Sequence, residues 1–418
     1  MKISKISNHF FHRTSPSIRE GVLFLIGWAF FNAVLFSQTN LYQLSLQLKD
    51  SVVLNLPVKI ENQKIIIPAY PNAIKYVEPF EVKKDSVKFS VSIYENVFLL
   101  KATSKNSYSG EWIKYSSAGK QYHIPVKIFP HTKCIADTFK MRTFPKKWKI
   151  QIENDKTTYN AVGTFRYYPD SDLSHLSGSI ATPYGDLGNL NGYIRNDSLY
   201  LSVFNGSFAT QIIAKIFKSV NSQDSISGFI YYGNWGVEKC TGIADNKAYL
   251  NNEIPLQDIF SSQFVFKHKW KDIYDREIQL ETNKPFVLLI MGTWCPNCAD
   301  ENKLFSNWYD SIANKVQIIA LSVERTNDKQ KAIEILKKYQ KKINIPYPIV
   351  LLSESGTQKS YALFPEMIKI PAFPTAIYFD KQHRPYKATI GFNGPSTHEL
   401  YLQSQEHIRQ ILNEITQQ

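Results

Sequence analysis

Apolar and polar positions alternate in short runs over residues 41–248, and the period lengthens after residue 251. Ser198-Leu199-Tyr200-Leu201-Ser202-Val203-Phe204 alternates with period two behind an Asn196-Asp197 turn, the pattern of a hairpin strand. Similar runs fall at 52–60, 64–67, 87–91, 97–102, 110–115 and 121–129. A second set falls at 148–152, 159–165, 176–180, 192–195, 209–217 and 225–232. Turn residues separate them at short intervals, as in sandwiches and antiparallel barrels. Pro130-His131-Thr132 divides this region into modules at 38–130 and 131–250, or lies inside one continuous domain. Beyond Asn251, strand patterns at 316–323, 349–352, 375–380 and 387–390 alternate with helical ones. Residues 328–342 place Ala332, Ile335, Leu336 and Tyr339 on one helix face. Ser396 and Glu399 form a capping box, with Ser396 as N-cap of a final helix. The predicted architecture is multidomain: a β-rich sandwich or barrel region, then an α/β domain over 256–418 built on a mixed sheet.

The length of 418 residues agrees, since it exceeds one ordinary core. Residues 1–37 have a basic start (Lys2, Lys5, Arg13, Arg19), an apolar stretch over 22–36 broken only by Asn32, and the small Ser37. That stretch is shorter than the roughly 20 residues that span a bilayer comfortably. It reads as a cleaved signal peptide, with an uncleaved N-terminal anchor as the alternative. No cysteine follows it to carry a lipid. Either reading places the rest of the chain in the periplasm or cell envelope, where disulfides persist.

The net charge of +13 is spread over strands, turns and helix faces, as at Lys329, Lys331, Lys337, Lys338, Lys341 and Lys342. It reads as a solvated face rather than the concentrated basic stripe that nucleic acid requires. Membrane contact is expected only through the N-terminal segment, if it stays uncleaved. His268, His383 and His398 lack metal-ligand spacing, and no phosphate loop or dinucleotide motif is present. No metal and no cofactor are expected.

The candidate chemistry lies at Trp294-Cys295-Pro296-Asn297-Cys298, between the apolar run 286–291 and a helical pattern over 299–313. Cys295 is placed at the N-cap and Pro296 at the first helical position, where a missing N–H costs nothing. A thiolate there meets the free N–H groups of Asn297 and Cys298 and the positive helix end, which lower its pKa. Cys298, one turn on, closes the ring. Asp300 and Glu301 oppose the thiolate. A zinc half-site would need a second ligand pair, and Cys134 and Cys240 stand alone and far upstream. For those two, a structural disulfide is one reading and two buried free thiols the other.

Three separated segments resemble the TlpA/ResA-like family of exported thiol–disulfide oxidoreductases, which have the thioredoxin fold. They are Met291-Gly292-Thr293-Trp294-Cys295-Pro296-Asn297-Cys298 with Asp300-Glu301, Phe373-Pro374-Thr375 before a strand, and Gly391-Phe392-Asn393-Gly394-Pro395. The resemblance spans about residues 258–418. It implies Cys295 as nucleophile, Cys298 as resolving thiol and Trp294 as a shield for the sulfur. It also implies a cis Pro374 whose neighbours Phe373 and Thr375 pair with substrate through their backbones. An X-Pro bond is cis in only about 5–6% of folded cases, so this expectation rests on the resemblance. Glu324 matches an active-site glutamate that passes protons to Cys298; otherwise it is an exposed acid at a strand end. Thr182-Pro183-Tyr184-Gly185-Asp186 and Phe204-Asn205-Gly206-Ser207 are similar to segments of a β-domain in some members, with no catalytic role implied.

The resemblance implies disulfide-bonded protein substrates and a membrane electron donor or thiol partner, with the protein working as a reductase. A disulfide oxidase or isomerase is the alternative within the same chemistry. A peroxiredoxin is disfavoured by the absence of a Pro-x-x-x-Thr-x-x-Cys segment. From another class, the β region recognises an envelope partner and the dithiol is regulatory.

Overall fold

The computed structural model describes residues 40–67, 76–115, 121–132, 136–169, 175–219, 223–250, 253–260, 269–354, 367 and 369–418. The expected leader over 1–37, Cys134 and His268 lie outside the described residues.

The first sheet is an open antiparallel array of nine strands. Leu41–Gln47 is an interior strand, paired with Val53–Glu61 on one side and with the central strand, Gln121–Pro130, on the other. Alternation sets its apolar face: Leu54, Leu56 and Val58 are buried, while Val53 and Asn55 are exposed.

The second sheet also has nine strands, from Lys147–Glu153 to Gly236–Ala244. Pairing of Thr158–Tyr168 with His175–Thr182 closes eight of them into a barrel. Closure leaves those strands with no free edge. The ninth, Gly185–Asp186, is a short flap on His175–Thr182. Trp148, Ile150, Leu201, Ile212, Ile230 and Cys240 fill the barrel. The Asn196-Asp197 turn has positive φ at both residues, as a two-residue hairpin loop requires.

Among the described residues, the stretch read as β throughout contains one short α-helix, Thr138–Arg142, and a 3₁₀ turn, Lys49–Ser51. Asp137 starts the helix, its Oδ1 accepting the Lys140 N–H at 3.0 Å. Tyr76–Pro79, Val82–Lys83 and Gly185–Asp186 are strands too short for alternation to reveal.

The third sheet has five strands in the order Ile349–Ser353, Gln317–Val323, Phe286–Met291, Thr375–Phe379, Pro385–Ile390. The first three are parallel and the last two antiparallel. Helices Pro296–Ile312, Lys329–Ile343 and Glu399–Gln417 accompany it. Phe286–Met291 is buried throughout, so its continuous apolar run fits a central strand covered on both faces. Val287, Leu289 and Met291 join a core that also contains Leu44, Phe98 and Trp112 of the first sheet. Phe286, Leu288 and Ile290 face the opposite core.

The expected capping box is not formed. Ser396 lies inside a 3₁₀ turn, Pro395–Thr397, and the last helix begins at Glu399 behind His398 at φ 56°. The reason is tertiary. The Thr397 carbonyl accepts the Thr164 hydroxyl at 2.9 Å, and the Gly394 N–H donates to Asp186 Oδ2 at 2.6 Å. The barrel thereby holds this turn in place of a simple helix start.

Candidate functional site

The central strand ends at Met291, and the chain turns through Gly292–Trp294 into the helix Pro296–Ile312. Cys295 is the N-cap, with extended φ/ψ, and Pro296 is in the first turn. Cys295 and Cys298 form a disulfide. The Cys298 N–H donates to Cys295 Sγ at 3.2 Å, the contact that an N-cap sulfur makes with an otherwise unsatisfied donor. Cys295 Sγ also lies 3.5 Å from the Phe373 carbonyl oxygen. The Phe373–Pro374 peptide is cis. Thr375 is buried, and its strand pairs on both sides, opposite Ile290 and Ile390. Its backbone therefore belongs to the sheet, and Phe373 is the member of that pair whose carbonyl meets the sulfur.

Trp294 is fixed on three sides. Its Nε1 donates to the Val323 carbonyl at 2.9 Å. Its ring meets Phe373 edge-on at 4.9 Å, and the Arg325 guanidinium lies 3.2 Å from the ring centroid. Glu324 is buried, not an exposed strand-end acid. Its carboxylate accepts the Thr293 N–H at 3.0 Å, the Thr293 hydroxyl at 2.6 Å and the Ser322 hydroxyl at 2.5 Å. Burial raises its pKa against these hydrogen bonds. Its hydrogen bonds tie the residues before Trp294, and none reaches Cys298 among the described residues.

A second buried acid lies on the redox helix. Glu301 is 1% exposed, and its Oε2 has no hydrogen-bond partner among the described residues. Burial pushes its pKa up to about 8. It follows Cys298 by three residues, a spacing that shares a helix face and was readable in the sequence.

The barrel contributes residues that the pattern did not point to. The two segments around Gly185 and Gly206, similar to a β-domain of unassigned role, both reach the redox turn. Asn297 Nδ2 donates to the carbonyls of Asp186 and Phe392, at 3.1 Å each. The Ser207 hydroxyl donates to the Trp294 carbonyl at 2.7 Å. Asn205 Oδ1 shapes that loop by accepting the N–H groups of Ser207 and Phe208. Gly391, at φ 64°, faces the flap so closely that a Cβ would come within 2.5 Å of the Gly185 nitrogen. Asp186 is buried and accepts from Ser179, Gly188 and Gly394. Burial raises its pKa, and burial followed by the charge of Asp186 raises that of Asp300 well above the carboxylate range. Cys295 is 4% exposed and Cys298 fully buried.

The sequence model of the AhpC/TSA family matches residues 264–384, a segment that contains both redox cysteines. The C-terminal domain has the thioredoxin fold. Among solved structures, a thiol:disulfide interchange protein from Chlorobium tepidum TLS is similar at 16% identity, over 36% of this chain and 92% of that one, with a TM-score of 0.27. A secreted disulfide oxidoreductase from Mycobacterium tuberculosis is similar at 14% identity, over 33% and 95%, with a TM-score of 0.25. A secreted thiol-disulfide isomerase from Corynebacterium glutamicum is similar at 14% identity, over 40% and 93%, with a TM-score of 0.29. No curated protein matches the chain.

The remaining sequence candidates lie apart from this site. Cys240 is a free thiol, 1% exposed, inside the barrel, while Cys134, the other member of the expected pair, lies outside the described residues. Its strand pairs it with Ile152 and Gly228, which turns the sulfur into an apolar interior. Burial pushes the Cys240 thiol up to about 12. Among the described residues, no group of three or more His, Cys, Asp or Glu is placed to hold a metal ion. No described helix is long and apolar enough to cross a membrane.

Proposed function

We propose that this chain is an exported thiol–disulfide oxidoreductase working as a protein disulfide reductase in the periplasm or cell envelope. The observation that carries the reading is the Cys295–Cys298 disulfide at the start of a buried helix, with a helix N–H on the first sulfur. In the reduced protein the Cys295 thiolate attacks a substrate disulfide, one substrate thiolate leaves, and a mixed disulfide forms. The Cys298 thiolate then attacks Cys295, releases the second substrate thiol and leaves the protein oxidised. Two electrons and two protons pass to the substrate. Phe373 presents its carbonyl beside the attacking sulfur, Trp294 walls one side, and Glu324 or Glu301 supplies a buried site for a proton. Turnover needs an electron donor, which we take to be a membrane carrier or a thiol partner. The resemblance to TlpA/ResA-like proteins supports the direction, and the basic, apolar segment over 1–37 supports export as a signal peptide or anchor.

The test is the reduction potential of Cys295–Cys298 in glutathione or dithiothreitol buffers. A value near or below about −270 mV supports a dedicated reductase, and one near about −120 mV replaces it with disulfide formation. Absence of any reversible couple sinks both.

A further inference from the structure

Beside Trp294 a cleft of about 130 Å³ opens between the first sheet, the Ser207 loop and the C-terminal domain. Three cations line it; Lys331 is paired with Glu95, and the other two come from different parts of the fold, Lys114 from strand Ser107–Tyr115 and Arg325 from just beyond strand Gln317–Val323. Lys114 Nζ sits 4.1 Å from the Phe208 ring centroid and 4.7 Å from that of Trp235. Arg325 lies over Trp294. The acids around them are committed elsewhere. Glu95 pairs with Lys331 at 2.9 Å, and the Glu324 carboxylate is held by Thr293 and Ser322. No carboxylate among the described residues forms an ion pair with Lys114 or Arg325.

Two like charges converging on one partly enclosed cleft repel, and ring faces replace only part of the lost hydration. An anion between them removes that conflict. Burial, followed by the charge of Arg325, pushes Lys114 down to about 7. Burial also pushes Arg325 down to about 10, against the opposing charge of Glu324.

We propose that the Lys114–Arg325 cleft is an anion subsite that seats a carboxylate of the disulfide substrate while its sulfur meets Cys295. The inference rests on the thiol–disulfide reading and adds a substrate class, acidic disulfides. It also gives the first β sheet a part in selection. The subsite acts in the first step: Cys295 thiolate bonds to one substrate sulfur, the substrate S–S bond breaks, and the leaving thiolate takes up a proton. Cys298 completes the exchange as above, so protein dithiol and one disulfide become protein disulfide and two thiols.

Three small disulfides of similar size separate charge from reactivity: dianionic 3,3′-dithiodipropionate, neutral 2-hydroxyethyl disulfide and dicationic cystamine. Rates are measured with the reduced full-length protein, and each charged probe is expressed relative to the neutral one. The wild type is expected to favour the dianion over the dication by about fivefold or more, with the preference shrinking as salt is added. K114M collapses the preference and K114R retains it. A wild-type ratio near one, or a K114M ratio equal to wild type, overturns the subsite while leaving the oxidoreductase reading intact. If none of the three disulfides reacts, that reading falls, and sulfate titration of the oxidised protein decides the cleft. Saturable binding lost in K114M upholds it, and identical isotherms overturn it.

Discussion

The barrel interior and the redox turn each bury a cysteine almost completely, Cys240 at 1% exposure and Cys298 at none, yet the two regions prepare opposite chemistry. Cys240 is mid-strand, where neighbouring backbone groups are engaged in ladders with Ile152 and Gly228. A backbone hydrogen bond from Gly228 offsets only part of the desolvation, so its thiol is pushed up to about 12. Cys295 and Cys298 start a helix, where backbone N–H groups have no intrahelical partner. One of them reaches Cys295 Sγ. Burial is nearly the same in both regions. The difference is whether the backbone has donors left over, which is a property of element ends.

The largest effect should break this contrast at the redox turn. C295S is expected to abolish disulfide reduction, while C298S accumulates a mixed disulfide visible by mass without reductant. C240A is expected to retain the wild-type rate. With a thiol at about 12, Cys240 is roughly 0.01% thiolate at pH 8. Iodoacetamide should therefore label Cys295 in the reduced native protein and Cys240 only after unfolding. Labelling of Cys240 at a comparable native rate would remove the contrast.

A buried acid should give the next effect, on stability rather than rate. Glu301 titrates at about 8 in the fold against an ordinary value of 4.5. Between those values the folded state holds a proton that the unfolded chain has released. Stability then falls as pH rises through that window, by up to about 1.4 kcal/mol per pH unit from this group. Glu324, Asp186 and Asp300 are also raised by burial and add to the same trend. E301Q should flatten the decline between pH 5 and 8, read as urea midpoints. An unchanged slope would mean that Glu301 is ionised in the fold.

Much of the redox turn was legible because its grammar is local. An apolar run, a CxxC with proline at the first helical position and a helical pattern lie within about thirty residues. Most strands of both β sheets were legible for the same reason, through alternation and turn residues, but Leu41–Gln47 and Gly236–Ala244 were not read as strands. What was hidden depends on contacts distant in sequence. Asp186 reaches Gly394 across 208 residues and Ser207 reaches Trp294 across 87, and no period encodes either. The Asp186–Gly394 contact, with the Thr164 hydroxyl on the Thr397 carbonyl, also explains the failed capping box at Ser396, whose local signal was sound and was overridden by the barrel. The fate of Cys240 was open because sequence alone does not show which face of its strand is interior. Glu301 was read only as a charge opposing the thiolate, although its spacing from Cys298 puts both on one helix face.

The smaller effects concern how far barrel and redox turn behave as one region. Asp186 is buried and accepts three hydrogen bonds, two within the barrel and one from Gly394. D186A leaves those donors unsatisfied and should cost about 1–3 kcal/mol by the ordinary penalty for a buried orphan. Ser207 makes one bond to the turn, so S207A should cost about 0.5–1.5 kcal/mol. The pair is informative because the Ser207 bond ends on the peptide next to Cys295. If the loop holds that carbonyl equally in the oxidised and reduced proteins, S207A lowers stability in both and leaves the reduction potential in place. If the loop binds only one state, the lost bond appears as a difference between them, and about 30 mV corresponds to about 1.4 kcal/mol for two electrons. A shift of that size would make the barrel loop a determinant of the potential. Equal destabilisation without a shift would make it a brace, and the contrast between the two regions would then end at the backbone of the redox turn.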